Sequence, residues 1–153
     1  MPLTLDGTTG ITQPTAGAPT FSAYASATQT VTSNTDTKVV FDTEQFDTNN
    51  NFSSSRFTPT VAGYYQITTS IRFNGTIPSQ YVVYWYKNGS SVGIPLFVNT
   101  NLGTYFNTLT ALFYMNGSTD YLEIYANITA TSPSLGSTYP NTNFFSACLA
   151  RSA

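Results

Sequence analysis

The stretch Phe57-Thr58-Pro59-Thr60-Val61-Ala62-Gly63-Tyr64-Tyr65-Gln66-Ile67 decides the fold, because it combines a turn with the start of a β-strand. Pro59 has a fixed φ and no N–H to donate, so it marks a strand end, and Gly63 supplies backbone freedom before the two tyrosines. Beyond Tyr65 one face carries Ile67, Thr69, Ile71 and Phe73, and the other carries Gln66, Thr68, Ser70 and Arg72. This period of two predicts a strand with one buried face.

Composition narrows the class of protein. The chain has 153 residues, a length that suits one domain. Only 8% of the residues are charged and the net charge is −2, so the usual attraction to phosphate backbones and anionic lipid is missing. We therefore expect no nucleic-acid partner. No segment has the length of a membrane span, so we expect no membrane insertion. Abundant Tyr, Phe, Val, Ile, Thr, Ser and Asn favour strands and turns, which predicts an all-β protein.

The first twenty residues, 1–20, differ from the rest. Their apolar content is little more than Leu3, Leu5 and Ile11, and glycine and proline interrupt them. A segment with so little to bury is expected to become ordered only against a neighbour or a larger assembly. We interpret residues 1–20 as an extended N-terminal arm and residues 21–153 as the folded domain. The start of the chain has neither a basic stretch nor a continuous apolar run, so we expect no secretory signal.

Residues 21–153 contain a series of short runs typical of strands. The runs are Phe21–Ala25, Thr28–Val31, Thr37–Asp42, Tyr81–Lys87, Thr104–Met115, Tyr121–Ile128 and Asn143–Leu149. Three Asn-Gly pairs, at Asn74, Asn88 and Asn116, predict hairpins because both residue types tolerate positive φ. The polar segment Glu44–Arg56 is expected to be a long loop anchored by Phe46 and Phe52. About ten short antiparallel strands joined in this way indicate a sandwich or jelly roll.

Two of the predicted strands lack a polar face. Val82–Tyr86 and Leu109–Met115 carry large apolar side chains on both sides. An antiparallel sheet usually leaves one face to water, so a second layer must cover the other face. Loops of the same chain are one solution. We favour another subunit, because closed symmetric oligomers commonly hide such surfaces.

A family resemblance joins these observations. Five segments resemble, in this order along the chain, the globular head of complement component one q. They are Phe21-Ser22-Ala23, Val40-Phe41-Asp42, the stretch from Phe57 to Tyr65, Lys87-Asn88-Gly89 and Phe144-Phe145-Ser146-Ala147-Cys148-Leu149. That family shares its trimeric jelly roll with tumour necrosis factor. The resemblance implies an antiparallel jelly-roll sandwich assembled as a homotrimer. The side chains expected in its core or trimer interface are Tyr65, Ile67, Phe73, Val83, Trp85, Leu112, Phe113, Tyr114 and Phe145.

The chain departs from animal members of that family. It has no collagen-like stalk, no recognisable signal and no core cysteine pair, and these differences argue against an animal secreted role. The arm sequence Leu3–Thr12 instead resembles the Gly-Thr-rich segments of tailed-bacteriophage fibre and virion proteins. This second resemblance implies a component of a phage particle.

Catalytic chemistry has little support in the sequence. There is no histidine, so triads that require one are impossible, and Cys148 is expected to be a buried structural thiol. No acid lies in an apolar sequence context that would suit general-acid work on a sugar. Asp42, Glu44 and Asp47 could offer oxygens to calcium, but the regular spacing of a calcium loop is missing, so a solvated loop is expected. We expect no enzyme activity, no metal and no cofactor.

Tyrosines are the remaining candidates for ligand contact. Tyrosine rings can stack on sugar rings, and the candidates are Tyr81, Tyr84, Tyr86, Tyr105, Tyr121, Tyr125 and Tyr139. Most lie in predicted strands, where packing explains them. Tyr139 and Asn141 lie in the predicted loop Ser132–Thr142, which makes this loop the preferred ligand-binding segment.

The sequence therefore predicts a non-enzymatic, trimeric module of a bacteriophage virion, made in the host cytoplasm. Its arm, through Leu3, Leu5 and Ile11, would attach it to other virion proteins. Two roles are open. The module is a fibre tip or receptor-binding head that recognises a host surface glycan or protein, or it is a decoration protein that stabilises the capsid.

Overall fold

A computed structural model describes residues 4–6, 10–12, 18–74, 80–98, 105–136 and 142–153. Every regular element in these ranges is a β-strand. The strands are β1 (Thr4–Asp6), β2 (Gly10–Thr12), β3 (Thr20–Tyr24), β4 (Gln29–Thr30), β5 (Thr37–Lys38), β6 (Thr43–Asp47), β7 (Phe52–Ser53), β8 (Arg56–Phe57), β9 (Gly63–Asn74), β10 (Gln80–Lys87), β11 (Ser90–Val98), β12 (Tyr105–Met115), β13 (Leu122–Thr129), β14 (Ser134–Leu135) and β15 (Phe144–Ser152). No helix in the described ranges has the length and apolar character of a membrane-spanning segment.

Two antiparallel sheets pack face to face. The first has the order β11-β10-β13-β8-β7, with β5 also paired to β13. The second has the order β6-β3-β15-β9, and β9 carries β12 along its other edge. Two short strands extend this sheet, since β14 pairs with the end of β9 and with β4. The last strand, β15, lies between β3 and β9. The first and last strands of residues 21–153, β3 and β15, are therefore neighbours in the middle of this sheet. This is the antiparallel jelly-roll sandwich that the sequence predicted.

The core forms where the inner faces of the two sheets meet. Phe21 lies at its centre, with its ring centroid 4.7 Å from that of Phe52, 4.7 Å from that of Phe57 and 4.9 Å from that of Phe145. Each large apolar side chain buried in this way contributes roughly 1.5–3 kcal/mol. Aromatic rings from four separate strands therefore hold the sheets together.

The stretch Phe57–Ile67 forms a corner that leads into this core. β9 begins at Gly63, and the alternating side chains Tyr65, Ile67, Ile71 and Phe73 are completely buried. The Tyr65 hydroxyl donates a hydrogen bond of 2.8 Å to the carbonyl of Val61, which ties the strand to the turn before it. The predicted alternation of β9 is confirmed.

The segment Glu44–Arg56 is not the long loop predicted from its composition. It contains most of β6, all of β7 and the start of β8. β6 is an edge strand paired with β3, and its polar side chains point to solvent, which is why it resembles a loop in sequence. Phe52 is a buried anchor, but Phe46 is 49% exposed, so the prediction that Phe46 is an anchor is wrong.

The Asn88-Gly89 turn is the hairpin that the sequence predicted, but Asn116-Gly117 does not form a hairpin, because the strands on either side of it, β12 and β13, belong to different sheets. Asn88 and Gly89 form the two-residue turn between β10 and β11, with φ values of 54° and 81°. Positive φ at both positions is the requirement of a type I′ hairpin. Gly117 also has positive φ, at 70°, and the Asn116 side-chain oxygen accepts hydrogen bonds from the backbone N–H groups of Ser118, Thr119 and Asp120. The turn that follows Asn74 lies outside the described residues.

The arm contains a short hairpin. β1 and β2 pair antiparallel, with Leu5 opposite Ile11 in the register. Leu3 lies outside the described residues. Two of the three apolar arm positions are thus brought opposite each other by backbone pairing.

Candidate functional site

One sheet face directed away from the core carries most of the exposed large apolar side chains. We call it the Leu112 face, defined by the outward side chains of β6, β3, β15, β9 and β12. Leu112 is 61% exposed, Tyr64 47% and Tyr114 45%, and Phe46 lies at the opposite edge of the same face. The rings of Tyr64 and Tyr114 meet edge to face with centroids 5.5 Å apart. Contiguous exposed apolar side chains of this kind are typical of interaction surfaces.

Hydroxyl side chains occupy the middle of the Leu112 face, between its two apolar edges. The hydroxyls of Thr68 and Thr110 lie 3.2 Å apart across β9 and β12, and Ser146 follows on β15. A shallow cleft of about 300 Å³ runs beside Phe46 and Thr68. Side chains of this type can be desolvated at a modest cost because no charge is buried.

Cys148 also lies on the Leu112 face, and this corrects the prediction of a buried thiol. Its side chain is exposed. In β15 the residues Phe145 and Ala147 point into the core, so Cys148 must point outward. The apolar appearance of the terminal segment concealed this alternation.

The residues predicted for the core or interface divide into two groups. Tyr65, Ile67, Phe73, Val83, Trp85 and Phe145 are buried in the core. Phe113 is partly buried, with its ring centroid 5.4 Å from that of Trp85. Leu112 and Tyr114 lie on the exposed face. One apolar side of β12 thus packs in the core of this chain, and the other side lies at its surface.

The outward face of the other sheet carries a cluster of tyrosines, which we call the tyrosine face. It comprises Tyr84 and Tyr86 of β10 and Tyr125 of β13. Tyr86 and Tyr125 stack with centroids 4.1 Å apart and an interplanar angle of 25°, and Tyr84 meets Tyr86 edge to face at 6.2 Å. All three side chains are half-buried. The second apolar side of β10 is therefore formed by tyrosines that pack on one another and leave part of their surface exposed.

Asp36 forms the polar border of the tyrosine face. Its carboxylate accepts a hydrogen bond of 2.9 Å from the Tyr86 hydroxyl and one of 2.7 Å from the Asn127 side-chain amide. Burial and the nearby Asp36 carboxylate raise the pKa of Tyr86 to about 12. The phenol is therefore neutral at physiological pH and remains a hydrogen-bond donor.

A charged cluster adjoins the tyrosine face. Glu123 is buried, and its Oε1 accepts from Lys38 Nζ at 2.6 Å and from Arg56 Nε at 2.9 Å. The Arg56 guanidinium also lies 3.9 Å from the ring centroid of Tyr121, a cation–π contact. The cluster has two cations and one anion, so it carries an excess positive charge.

No local pattern in the sequence predicts this cluster. Lys38 and Arg56 are 85 and 67 residues away from Glu123 along the chain. Pairing of β5 and β8 with the same strand, β13, brings them together. The strand register, and not a motif, creates the cluster.

The acids considered for calcium have structural roles. Asp42 accepts two hydrogen bonds of 2.7 Å from the Ser26 backbone and hydroxyl, and Asp47 accepts from the backbone N–H groups of Asn49 and Phe52. Glu44 is exposed on β6. Within the described part of the chain, no three metal-ligating side chains converge. The predicted ligand positions Tyr139 and Asn141 lie outside the described residues.

The lowered pKa values of three carboxyl groups predict that the protein loses stability in acid. Burial alone would raise the pKa of Glu123, but Lys38 and Arg56 outweigh it and hold this pKa below its usual value. Hydrogen bonds from Lys87 and Asn88 lower the pKa of Asp120, and those from Ser26 lower the pKa of Asp42. A depressed folded-state pKa stabilises the protein above the unfolded pKa of about 4 and loses that effect as the pH falls through the folded value. The free energy of unfolding should therefore fall progressively below about pH 4.

Urea unfolding across a series of acidic pH values measures this dependence. Glu123→Gln should weaken it, because one of the linked carboxylates is gone. Glu44→Gln removes a carboxylate from an exposed edge position and is the charge-matched control. Equal slopes in the two variants would contradict the role assigned to Glu123.

Comparison with known proteins agrees on the fold. No protein-family model matches the chain, and no curated protein matches it. The globular domain of zebrafish complement 1qA protein aligns with a TM-score of 0.65 and 17% identity, covering 88% of this chain and 99% of that domain. Murine APRIL aligns with a TM-score of 0.62 and 11% identity, covering 86% of this chain and 98% of APRIL. Rabbit GITRL aligns with a TM-score of 0.54 and 12% identity, covering 89% of this chain and 97% of GITRL. At these identities the likeness shows the jelly-roll fold alone.

Proposed function

We propose that this chain is a non-enzymatic binding module that acts as a homotrimer on the outer surface of a bacteriophage particle. In this role it is the receptor-binding head of a fibre and contacts the host surface. The observation that carries the proposal is the Leu112 face, where Leu112, Tyr64 and Tyr114 are exposed together on a flat sheet. The protein would be made in the host cytoplasm and incorporated into the virion there.

Two apolar edges on one face suit a closed ring. Tyr64, Leu112 and Tyr114 lie towards β12, whereas Phe46 lies on β6 at the other edge. A contact between unlike edges of successive subunits is head-to-tail, and such contacts close into rings when the rotation allows it. The resemblance of the sequence to a trimeric head domain supports a threefold ring. Burial of these side chains would supply the favourable free energy of assembly.

The arm supports placement on a virion. Its sequence Leu3–Thr12 resembles Gly-Thr-rich segments of phage fibre and virion proteins. Backbone pairing sets Leu5 opposite Ile11, which concentrates the apolar content of the arm in one hairpin. We assign attachment to other virion proteins to this segment.

The structure indicates where the arm can be removed without damage to the domain. The carbonyl of Pro19 accepts a hydrogen bond of 2.9 Å from the Leu149 backbone, and Thr20 begins β3. Deletion of residues 1–17 should therefore leave the trimer intact. Incorporation into particles should fall by at least about tenfold, as measured by quantitative immunoblotting of purified virions.

Replacement of residues 1–17 by a Gly-Ser linker of equal length is the control for chain length. Incorporation at the wild-type level by either variant would refute the assignment of the arm. Antibody labelling of intact particles tests the location directly. Label at fibre ends is the expected result, whereas label over the shell would replace the receptor-binding role by capsid decoration.

A further inference from the structure

Lys38 and Arg56 carry two positive charges, and the buried Glu123 carboxylate neutralises only one of them. The chain has five lysines and arginines in total, and two of them meet at one oxygen of Glu123. Their side chains remain 30% and 45% exposed. Arg56 uses Nε for Glu123, and among the described residues no acceptor engages its two terminal nitrogens. These are donors suited to a second carboxylate.

A cleft of a suitable size opens beside the two cations. Its volume is about 580 Å³, within the usual range for small-molecule sites. Apart from Lys38 and Arg56, its lining is uncharged and consists of amide and hydroxyl side chains, including those of Asn50, Ser53 and Thr58. Such groups can donate and accept hydrogen bonds, as the hydroxyls of a sugar require.

The tyrosine face continues from this cleft across the sheet. Lys38 is opposite Tyr125 in the register, and Tyr125 is opposite Tyr84 on the next strand. In the neighbouring row Arg56 is opposite Glu123, which is opposite Tyr86. Adjacent strands are about 4.8 Å apart, so the surface from cations to tyrosines extends roughly 10 Å. Aromatic side chains with hydroxyl groups offer both an apolar surface and hydrogen bonds to a second sugar ring.

We propose that the cleft at Lys38 and Arg56, together with Tyr125, Tyr84 and Tyr86, binds a saccharide that carries a carboxylate, of the hexuronic acid class. The carboxylate would pair with Arg56 and Lys38, and the adjoining sugar would lie against the tyrosines. This site specifies the ligand of the proposed receptor-binding head and rests on that proposal.

The charge distribution selects one carboxylate over a polyanion. The cluster has a single excess positive charge, the Asp36 carboxylate borders the tyrosine face, and the whole chain has a net charge of −2, so the surroundings of the cluster repel a polyanion. A nucleic acid or polyphosphate would need a basic surface that extends over several residues. A single acidic group on a largely neutral ligand matches the local charge.

Two ligands of equal shape provide the first test. The probe is an oligosaccharide of alternating glucuronic acid and glucose, and its partner is the same oligosaccharide with each carboxylate reduced to an alcohol. Isothermal titration of the full-length wild-type protein at low salt should show at least about tenfold tighter binding of the acidic form. Equal affinity for the two forms, or binding of neither, would overturn the proposal.

Two arginine variants provide the second test. Arg56→Gln should weaken binding of the acidic oligosaccharide by about tenfold and bring it near the affinity of the reduced form. Arg151→Gln makes the same chemical change in β15, on the other sheet, and should bind the oligosaccharide as wild type. Because Arg151 is opposite Tyr64 in the register, gel filtration checks that this variant keeps the wild-type oligomeric state. Thermal unfolding of both variants checks that the domain is intact. Equal weakening in the two variants would also overturn the proposal.

These outcomes are separable from failure of the receptor-binding role. Binding of the protein to host cells without a preference for acidic oligosaccharide would refute the site and leave the role in place. Absence of the protein from purified particles would refute the role, whatever the titrations show.

Discussion

Replacing Leu112 with arginine is expected to convert the proposed trimer into monomers. Leu112 is 61% exposed beside Tyr64 and Tyr114, so it lies at the centre of the proposed subunit contact. Threefold symmetry would place one arginine in each of the three contacts, and burial of an unpaired charge costs several kcal/mol. Light scattering during gel filtration should give about three times 16.6 kDa for the wild type and about 16.6 kDa for the variant.

Val40→Arg is the matched control for this experiment. Val40 is another exposed apolar residue, at 46%, but it lies beside Ser53 and Ser55 and not on the Leu112 face. This variant should remain trimeric. A wild-type particle with the mass of one chain, or a Leu112→Arg variant that remains a trimer, would refute the proposed interface.

Gly63→Ala is expected to cause a large loss of stability. A Cβ at this position would collide with the carbonyl oxygen of Arg151 and would lie 2.7 Å from Leu149 Cδ1. Separations below 3.0 Å essentially never occur for a real Cβ, and one obstacle is backbone that cannot rotate away. β15 would have to move off β9, and overpacking of this kind costs up to about 3 kcal/mol.

Thermal unfolding at a fixed protomer concentration measures this loss, since stability is coupled to assembly in an oligomer. A loss of ~3 kcal/mol corresponds to a decrease of roughly 6–12 °C in Tm for a domain of this size. Gly89→Ala is the comparison: Gly89 has a φ of 81°, but the nearest atom to an added Cβ is the Tyr121 hydroxyl at 3.4 Å. Its cost should be about 1 kcal/mol, from backbone conformation alone. An equal or smaller loss at Gly63 would contradict the steric explanation.

Gly63 shows how a correct local prediction can have the wrong cause. The sequence predicted that glycine gives backbone freedom at the start of β9. Gly63 is not among the glycines with positive φ, which in the described ranges are Gly89, Gly93, Gly117 and Gly136. Glycine is required at position 63 because β15 passes too closely for any side chain. Close approach by a strand about ninety residues later has no signature in the local sequence.

The two sides of β12 are a second case in which contacts between distant residues decide what the local sequence leaves open. Alternation in β12 predicted that Leu112 and Tyr114 lie on one side and Phe113 on the other. It did not show which side belongs to the core, because both sides are apolar. Pairing of β12 with the outer edge of β9 decides this: Leu109 and Met115 are buried, and Leu112 becomes the most exposed large apolar side chain described.

The amino-acid sequence by itself determined the all-β composition, the alternation of β9, the Asn88-Gly89 hairpin and the jelly-roll class. These features depend on neighbours within a few residues, through side-chain period and turn conformation. Only the tertiary structure decided that Cys148 is exposed, that Phe46 and Leu112 share a face, and that Lys38 and Arg56 meet at Glu123. Those features depend on which strands lie side by side, and this is set by packing between residues far apart in the chain.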